Sequence, residues 1–327
     1  MITLVYKLKF DTPVHFGAVE LGGKLEAVNF CYSSDTLYSA LCCELAGGKI
    51  FSDFINAFAQ GRILLSDLLP YTGGNFYLPK PILSEQIEKR IQHAPLDEVR
   101  KQFTQRKKLK KLEYLRASNL KKYFDALESG ANFFESADFG LFGLTQKVSC
   151  RNEEPLPYYV SEFYFNKDSG LYFIAQFDYE KIFDTFSNVL SSLGLSGIGG
   201  KRSSGLGKFH IIDKINLNKT CANEDLKAVQ KMLVAENSNW QMCISSILPA
   251  AEDIPILKNS YYRLKKRGGF VTNSGVNYDK KKNSVYMLGA GSCLPKRIEG
   301  RNVILDKIDG KEIFRFGKGI FVGLNYE

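Results

Sequence analysis

Residues 158–217 decide the fold and read YYVSEFYFNKDSGLYFIAQFDYEKIFDTFSNVLSSLGLSGIGGKRSSGLGKFHIIDKINL. Two runs are rich in aromatic residues and resemble strands, a third alternates apolar and polar residues, and apolar residues recur with helical spacing in a fourth. The pattern predicts, in order, strands at Tyr158–Phe165 and Leu171–Phe177 joined by a hairpin turn at 166–170, a helix through Ile182, Phe186, Val189 and Leu193, and a strand at Lys208–Leu217. The segment is therefore a β-β-α-β unit with a glycine-rich loop between its helix and its last strand.

The N-terminal residues predict the first half of the same fold. Ile2–Phe10 alternates as a strand, and a helix begins at Ser33 or Ser34, either of which can cap it, and ends before Gly47. Joined to the later unit, these elements give the order β-α-β-β-α-β of a ferredoxin-like domain, in which a four-stranded antiparallel sheet carries two helices on one face. We expect the other face of the sheet to be free for a ligand.

The predicted fold class is α+β, with two ferredoxin-like (RRM-like) domains built on antiparallel sheets. A chain of 327 residues is long enough for about two domains. Residues 1–216 form the first domain, with a large and partly helical insertion at about 62–155 and the glycine-rich loop at 197–209. Residues 217–327, with a helix at Ala222–Glu236 and several short strands, form the second.

Composition excludes several classes of protein. Hydrophobic residues make up 44% and charged residues 24%, which is the balance of an ordinary globular chain rather than a disordered or fibrous one. No apolar run approaches the roughly 18 residues of a membrane span, and the N-terminus lacks the features of a signal peptide, so we expect a cytoplasmic protein without a membrane partner. Seven cysteines without a CxxC motif predict neither a disulfide framework nor a metal site, and no motif calls for a cofactor.

Positive charge is concentrated in three segments. The chain carries a net charge of +9, yet residues 88–125 and 258–282 each carry +7 and residues 196–208 carry +3, so the remainder is acidic. Clustered lysines and arginines favour a polyanion such as RNA, because binding releases the counterions condensed on its phosphates. For each segment alone, a solvated helix face or loop is the other interpretation.

The loop GIGGKRSSGLGKF, Gly197–Phe209, holds five glycines, three cations and two serines in thirteen positions. Glycines allow backbone amides to approach a phosphate closely, and the cations and hydroxyls add donors, so the composition predicts an anion cradle. The loop is neither a P-loop nor a dinucleotide fingerprint, because Leu206 and Arg202 stand where those motifs need other residues and because a helix precedes it. A flexible connector with incidental lysines is the other interpretation.

Four motifs carry a resemblance to a known family. The glycine-rich loop before the last strand resembles that of the RAMP superfamily of CRISPR-associated proteins. The sequences HFG at His15–Gly17, SSDTLYSAL at Ser33–Leu41 and YYRLKKRGGFV at Tyr261–Val271 are similar, within the Cas5-like group, to the fourth subunits of type III-A Csm effector complexes. The resemblance covers both domains and leaves the insertion unmatched.

The resemblance implies a non-enzymatic scaffold that grips the 5′ repeat-derived tag of a crRNA and caps one end of the filament. Its implied partners are the large polymerase/cyclase-like subunit and the first backbone RAMP subunit, with target RNA contacted indirectly. Single-stranded RNA is bound by phosphate contacts along a basic groove and by bases resting on aromatic surfaces, which agrees with the composition of the loop.

Three groups of residues are candidates for RNA binding. The first is the loop itself, with Gly199, Gly200, Lys201, Arg202, Ser203, Ser204, Gly205, Gly207 and Lys208. The second is Ser34 with the amides that open the first helix, an anion site by virtue of the helix dipole, together with Phe16 and Gly17, although Phe16 is equally expected in the core. The third is a segment in which aromatics and cations interleave, with Arg263, Lys265, Lys266, Arg267 and Phe270, for which a protein-docking hairpin is the rival interpretation.

His15 is the candidate that an enzyme would use. A related RAMP branch cleaves precursor RNA with a histidine as general acid or base, which makes a metal-independent endoribonuclease the alternative function. No second histidine pairs recognisably with His15, and no catalytic pair of carboxylates can be assembled from spacing. We therefore expect no catalytic residues, and we expect Asp35 to serve as a first-turn helix residue.

Overall fold

The computed structural model describes residues 1–17, 24–83, 104, 107–129, 131–151, 154–179, 181–270, 281–308 and 311–325. Within them the protein is a mixed α+β structure, and the named strand ladders are antiparallel. The strands are β1 (Ile2–Phe10), β2 (Phe16–Gly17), β3 (Val28–Asn29), β4 (Ile63–Leu65), β5 (Leu69–Thr72), β6 (Asn75–Pro79), β7 (Tyr114–Arg116), β8 (Gly140–Arg151), β9 (Glu154–Phe165), β10 (Ser169–Phe177), β11 (Phe209–Asn216), β12 (Trp240–Cys243), β13 (Leu264–Arg267), β14 (Val285–Leu288), β15 (Cys293–Leu294), β16 (Val303–Ile308), β17 (Lys311–Arg315) and β18 (Phe321–Leu324). The helices are α1 (Ser34–Leu45), α2 (Phe51–Ala59), α3 (Leu120–Ser129), α4 (Lys181–Ser196), α5 (Glu224–Val234) and α6 (Ile254–Leu257).

The largest sheet is built around β1. Its order is β11-β1-β10-β5-β6-β7, with β4 also beside β10. Ile2 lies opposite Phe177 of β10, Phe10 lies opposite Phe209 of β11, and Phe177 lies opposite Ile63 of β4. The sequence β11, β1, β10 and then β4 with β5 is the strand order that a β-α-β-β-α-β chain adopts in a ferredoxin-like sheet.

The predicted hairpin between Tyr158–Phe165 and Leu171–Phe177 is wrong. Strand β9 pairs along its whole length with β8, while β10 pairs with β1, β4 and β5. The turn itself is present, since the Ser169 amide donates to the Asn166 carbonyl at 2.9 Å, but it leads from one sheet into another. Residues 63–72, which fall inside the predicted insertion, therefore supply the second strand of the plan.

Both faces of the central sheet are covered, which corrects the prediction of a free face. Along β1 the side chains alternate between two cores, so that Tyr6 and Leu8 join a cluster with α1, α2 and α4, whereas Val5 faces the other side. That second cluster contains Tyr172 and side chains of α3, α5 and the C-terminal strands. A ligand must therefore bind at the loops or edges of this sheet.

The C-terminal residues form smaller sheets. Strands β15, β12 and β18 make a three-stranded sheet, and β13-β14 and β16-β17 are two-stranded ladders. Asn223 precedes helix α5 and caps it, because its side chain accepts hydrogen bonds from the amides of Asp225 and Leu226. The division into domains at 216 and the second ferredoxin-like domain stay predictions.

The basic segment 88–125 falls largely outside the described residues. Its described part is helical at 107–111 and packs its leucines inward, with Leu109, Leu115 and Leu120 all buried in the second core. The cations of this part face outward, with Lys107, Lys110 and Lys121 exposed.

Buried carboxylates join segments that are far apart in sequence. Asp35, fully buried in the first turn of α1, lies 3.0 Å from Nη2 of Arg267 and 2.6 Å from Nη1 of Arg315. Burial acts to raise the pKa of Asp35, but the two guanidinium groups outweigh it and hold this pKa below its usual range. Asp225, also fully buried, pairs with Arg116 at 3.2 Å and accepts from the amide of Phe76.

Three further features of the described chain bear on function. No helix in it is long and apolar enough to cross a membrane. No group of three or more His, Cys, Asp or Glu side chains within it is arranged to hold a metal ion. Cys31, Cys42, Cys43, Cys221, Cys243 and Cys293 are free thiols.

We expect Asp35→Asn to lower the free energy of unfolding by about 3–5 kcal/mol, because it removes the carboxylate that pairs with the buried guanidinium of Arg315 and the partly buried one of Arg267. Urea denaturation at pH 7 measures this decrease. The matched control is Asp11→Asn, which removes a carboxylate paired with His210 on the exposed surface and should cost less than about 1 kcal/mol. Equal decreases in the two variants would contradict the structural role of Asp35.

The stability difference between the wild type and Asp35→Asn should also depend on pH. Because the folded-state pKa of Asp35 is depressed, its carboxylate stabilises the fold above the unfolded pKa of about 3.9, and this stabilisation is lost as the pH falls through the folded pKa. The difference in unfolding free energy between the wild type and Asp35→Asn should therefore be full at pH 6 and shrink below about pH 4.

Candidate nucleic-acid interface

The base of the glycine-rich loop is held against the residues that follow β1. The Gly200 amide donates to the His15 carbonyl at 2.8 Å, and the Gly207 amide donates to the Pro13 carbonyl at 2.8 Å. Across the loop, the Ile198 amide donates to the Gly207 carbonyl at 3.0 Å. The two ends of the loop are therefore closed on each other and fixed to the β1–β2 connection.

Two positions in the base of the loop require glycine, because the backbone there is left-handed and because a side chain would clash with neighbouring atoms. Gly199 has φ +91°, and a methyl group on it would lie 2.7 Å from both the His15 carbonyl oxygen and the Phe16 ring. Gly207 has φ +78°, and a methyl group there would lie 1.9 Å from the Ile198 carbonyl oxygen. The glycines that looked like phosphate contacts are thus partly packing positions.

The tip of the loop, Lys201–Gly205, faces solvent. Residues Arg202–Ser204 form a 3₁₀ turn, Ser203 and Ser204 are exposed, and the amides of Lys201, Arg202 and Ser203 donate to no described acceptor. Lys201 has φ +59°, and it alone among the described non-glycine residues is in the left-handed region. A lysine held there costs conformational energy, and such positions cluster where a binding geometry is imposed.

The tip also contacts the long hairpin β8–β9. The Nζ of Lys201 lies 4.8 Å from the centre of the Tyr158 ring, within cation–π range. This hairpin exposes an unusual number of apolar side chains, each more than half exposed: Leu141, Phe142, Leu144, Val148 and Leu156. The sequence analysis predicted β9 as a strand but missed its partner β8. Apolar and polar residues alternate along β8, but its apolar side chains are exposed instead of packing into a core.

The structure sorts the predicted loop residues into two sets. Lys201, Arg202, Ser203, Ser204 and Gly205 are at the surface, and Lys208 is exposed beside them. The amides of Gly200 and Gly207 are already used within the protein, and Gly207 is buried. These two glycines shape the loop and offer no free donor, which corrects the prediction that Gly207 contacts RNA.

His15 and Phe16 lie beneath the loop. Phe16 is 3% exposed and its ring lies 4.6 Å from that of Tyr32, so it is a core residue rather than a base neighbour. His15 is 5% exposed and its Nδ1 lies 2.7 Å from the Ser161 carbonyl oxygen of β9. Gly17, the next residue after Phe16, is exposed.

The prediction that Ser34 and the opening amides of α1 bind an anion from solution is wrong. Ser34 is fully buried, its amide donates to Oδ1 of Asp67 at 2.8 Å, and its hydroxyl accepts from the amide of Ser246. The helix terminus does bind an anion, but that anion is the carboxylate of Asp67. Burial raises the pKa of Asp67.

Strand alternation divides the third group of candidates. In β13, Arg267 points inward to Asp35, and Lys265 lies beside Gly289, where a methyl group would meet its side chain at 2.8 Å. Lys266 points outward, and Arg263 and Phe270 are also exposed. The prediction that Arg267 binds RNA is therefore wrong in this conformation, because its guanidinium serves the buried ion pair.

Sequence reasoning missed the neighbour of Lys266. Tyr286 of β14 lies directly opposite it in the ladder and is 59% exposed, and Leu264 on the same face is 53% exposed. The outward face of β13–β14 thus presents apolar and aromatic surface around one lysine.

We expect Gly207→Ala to lower the free energy of unfolding by about 3 kcal/mol, because it combines a left-handed backbone with a backbone clash. Gly205→Ala is the matched control, since Gly205 has φ +83° with nothing within 4 Å of an added methyl group, and it should cost only about 1 kcal/mol. Urea denaturation of the two variants separates the clash from the conformational cost, and similar decreases would show that the loop base is not packed in this way.

Comparisons with known proteins agree with this architecture. Residues 236–324 match the CRISPR Csm4 C-terminal domain family. The chain is 29% identical over 327 residues to the CRISPR system Cms protein Csm4 of Streptococcus thermophilus, covering 98% of this chain and 99% of the relative, and 26% identical over 335 residues to that of Mycobacterium tuberculosis, covering 99% and 98%.

Solved structures show the same fold. A chain of the Csm1-Csm4 cassette in complex with cA4 superposes with a TM-score of 0.59 at 17% identity, covering 100% of this chain and 99% of that one. A chain of the Csm3-Csm4 subcomplex of a type III-A CRISPR-Cas interference complex superposes with a TM-score of 0.60 at 16% identity, covering 99% and 100%. The sequence likeness to the curated Csm4 proteins therefore extends from end to end of this chain, and its C-terminal region also matches the Csm4 C-terminal domain family.

Proposed function

We propose that this chain is a non-catalytic scaffold subunit that binds the 5′ repeat-derived tag of a crRNA in a type III-A Csm complex. One observation carries the proposal: the loop tip Lys201–Gly205 presents two cations, two exposed hydroxyls and free amides on a base that is closed by hydrogen bonds. Donors without competing acceptors suit the phosphates of a single strand, which only accept.

The rigid base supports this proposal energetically. Binding a strand costs conformational entropy for every group that must be ordered, so a loop already fixed at Gly200 and Gly207 loses less on binding. The left-handed Lys201 and the 3₁₀ turn after it aim successive amides outward in the manner of an anion-binding nest. Arg263, Lys266 and Phe270, all exposed, extend the proposed RNA contacts onto the C-terminal part of the chain.

We further propose that the chain bridges the tag to two protein partners, a large polymerase/cyclase-like subunit and the first backbone subunit, and reaches target RNA only through the crRNA. The similar structures are of complexes that pair Csm4 with Csm1 and with Csm3. Exposed apolar surface on β8–β9 and on the β13–β14 face is available for such contacts, because surface of this kind marks interaction sites.

Lys201→Ala combined with Arg202→Ala should weaken binding of a tag-sequence RNA by the full chain and flatten its salt dependence. The slope of log K against log[salt] should become less steep by about 0.7 for each phosphate that the variant no longer neutralises. Fluorescence anisotropy at several salt concentrations measures both quantities.

The matched control removes the same charge elsewhere. Lys219 and Lys231 are exposed, and Lys219 follows the end of β11 that is opposite to the loop. Lys219→Ala with Lys231→Ala should leave the slope unchanged. A double variant at the loop that keeps the wild-type slope would show that the cradle does not bind the tag.

The alternative function, an endoribonuclease using His15, finds little support in the geometry. A general acid or base must reach the reacting group, but His15 is only 5% exposed and its Nδ1 is committed to a carbonyl. His210 is exposed but pairs with Asp11 at 3.0 Å, and His93 lies outside the described residues.

Incubation of the purified chain with repeat RNA should accordingly leave the RNA intact. Denaturing gel electrophoresis of end-labelled RNA measures this outcome. Site-specific cleavage that disappears in a His15→Asn variant would contradict the scaffold proposal and establish the nuclease.

A further inference from the structure

The ring of His15 is held in one orientation and one tautomer. Its Nδ1 lies 2.7 Å from the Ser161 carbonyl oxygen, and a carbonyl can only accept, so Nδ1 carries the proton and donates it. In the neutral imidazole the other nitrogen, Nε2, is then an acceptor. The hydrogen bond to β9 thereby makes Nε2, on the opposite side of the ring, a hydrogen-bond acceptor.

Nε2 lies where two glycines approach the ring. A methyl group on Gly200 would be 3.5 Å from Nε2 and 2.7 Å from Cδ2, and a methyl group on Gly17 would be 4.0 Å from Nε2. Gly17 is exposed, Gly200 is partly exposed, and Nε2 makes no hydrogen bond to the described residues. Among the described residues, the side of the ring that carries Nε2 therefore faces two glycines, which have no side chains.

The residues that follow Gly200 in the chain supply hydrogen-bond donors. Lys201 follows Gly200 directly, and the amides of Lys201 and Arg202 donate to no described acceptor. Donors of this kind attract phosphates, which offer nothing to Nε2. Within a strand, the sugar-phosphate backbone of RNA offers one kind of hydrogen-bond donor, the ribose 2′-hydroxyl. This hydroxyl is on the sugar next to each bound phosphate.

We propose that Nε2 of His15 accepts a hydrogen bond from a ribose 2′-hydroxyl of the bound strand and so selects RNA over DNA at that nucleotide. The inference rests on the proposed function, because it takes the strand to lie over the loop tip. His15 then contacts the strand only through the ring edge that carries Nε2, because most of the residue is buried. It performs no proton transfer.

The test is a scan of the tag-sequence RNA with one 2′-deoxy or 2′-fluoro substitution at each position, bound to the full chain. At one position both substitutions should weaken binding by about 2- to 10-fold, which is the range for one net hydrogen bond. His15→Asn, whose amide can replace Nδ1 toward Ser161 but has no group in place of Nε2, should abolish the penalty at that position and leave the others unchanged. Base substitution at the same nucleotide should have no such dependence on His15.

Gly17→Ala is the second variant, in case His15→Asn does not fold. Its methyl group lies at ordinary contact distance from Nε2 and should remove the same penalty. His210→Asn is the matched control and should change nothing. No penalty in any position, a penalty that survives both variants, or a His15 dependence that follows the base rather than the sugar would each overturn the inference.

The outcome also distinguishes this inference from the proposed function. If Lys201→Ala with Arg202→Ala weakens RNA and the all-deoxy strand alike while no 2′-position depends on His15, only the inference fails. If that double variant has no effect on either strand, the cradle itself is excluded.

Discussion

The buried carboxylate of Asp35 is the constraint on which the arrangement of this chain depends. It binds Arg267 and Arg315, which come from two separate ladders more than 230 residues further along the chain. A carboxylate that is wholly removed from water is ionised only if positively charged partners reach it. Any other packing of α1 against the C-terminal ladders would leave a buried charge without a partner, which is strongly destabilising. Asp67, which is also buried, accepts hydrogen bonds from the amides of Ser34 and Ser246 and so joins the start of α1 to the C-terminal part of the chain.

The docking of α1 has a consequence for the glycine-rich loop. The connection from β1 to α1 contains His15, whose carbonyl accepts from Gly200 and whose ring reaches Ser161 in the long hairpin. Three segments, the β1–α1 connection, the hairpin and the glycine-rich loop, therefore meet at one residue. Since each contact uses a buried polar group that would be costly to leave unpaired, the loop inherits the rigidity of the core beneath it.

The sequence predicted local structure well and pairing poorly. Strand β1 was predicted at its observed bounds and helix α1 between its observed ends, because strict alternation, caps and glycine stops are local properties. The strand partner of β10 was assigned to the wrong segment, since an aromatic-rich run beside a turn looks the same whether it pairs with its neighbour or with a distant strand. At the site, composition located the loop, but it could not separate Gly207, which packs, from Gly205, which does not, nor show that Ser34 and Arg267 already have carboxylate partners.

Those misplaced residues point to a general feature of basic, RNA-binding chains. A cation or a helix terminus attracts the nearest available anion, and inside this protein Asp35 and Asp67 are nearer than any phosphate. At the tip of the glycine-rich loop, by contrast, the amides of Lys201, Arg202 and Ser203 have no acceptor among the described residues. A count of cations therefore overstates the surface that is available to a polyanion, because the cations that pair with internal carboxylates must first be subtracted.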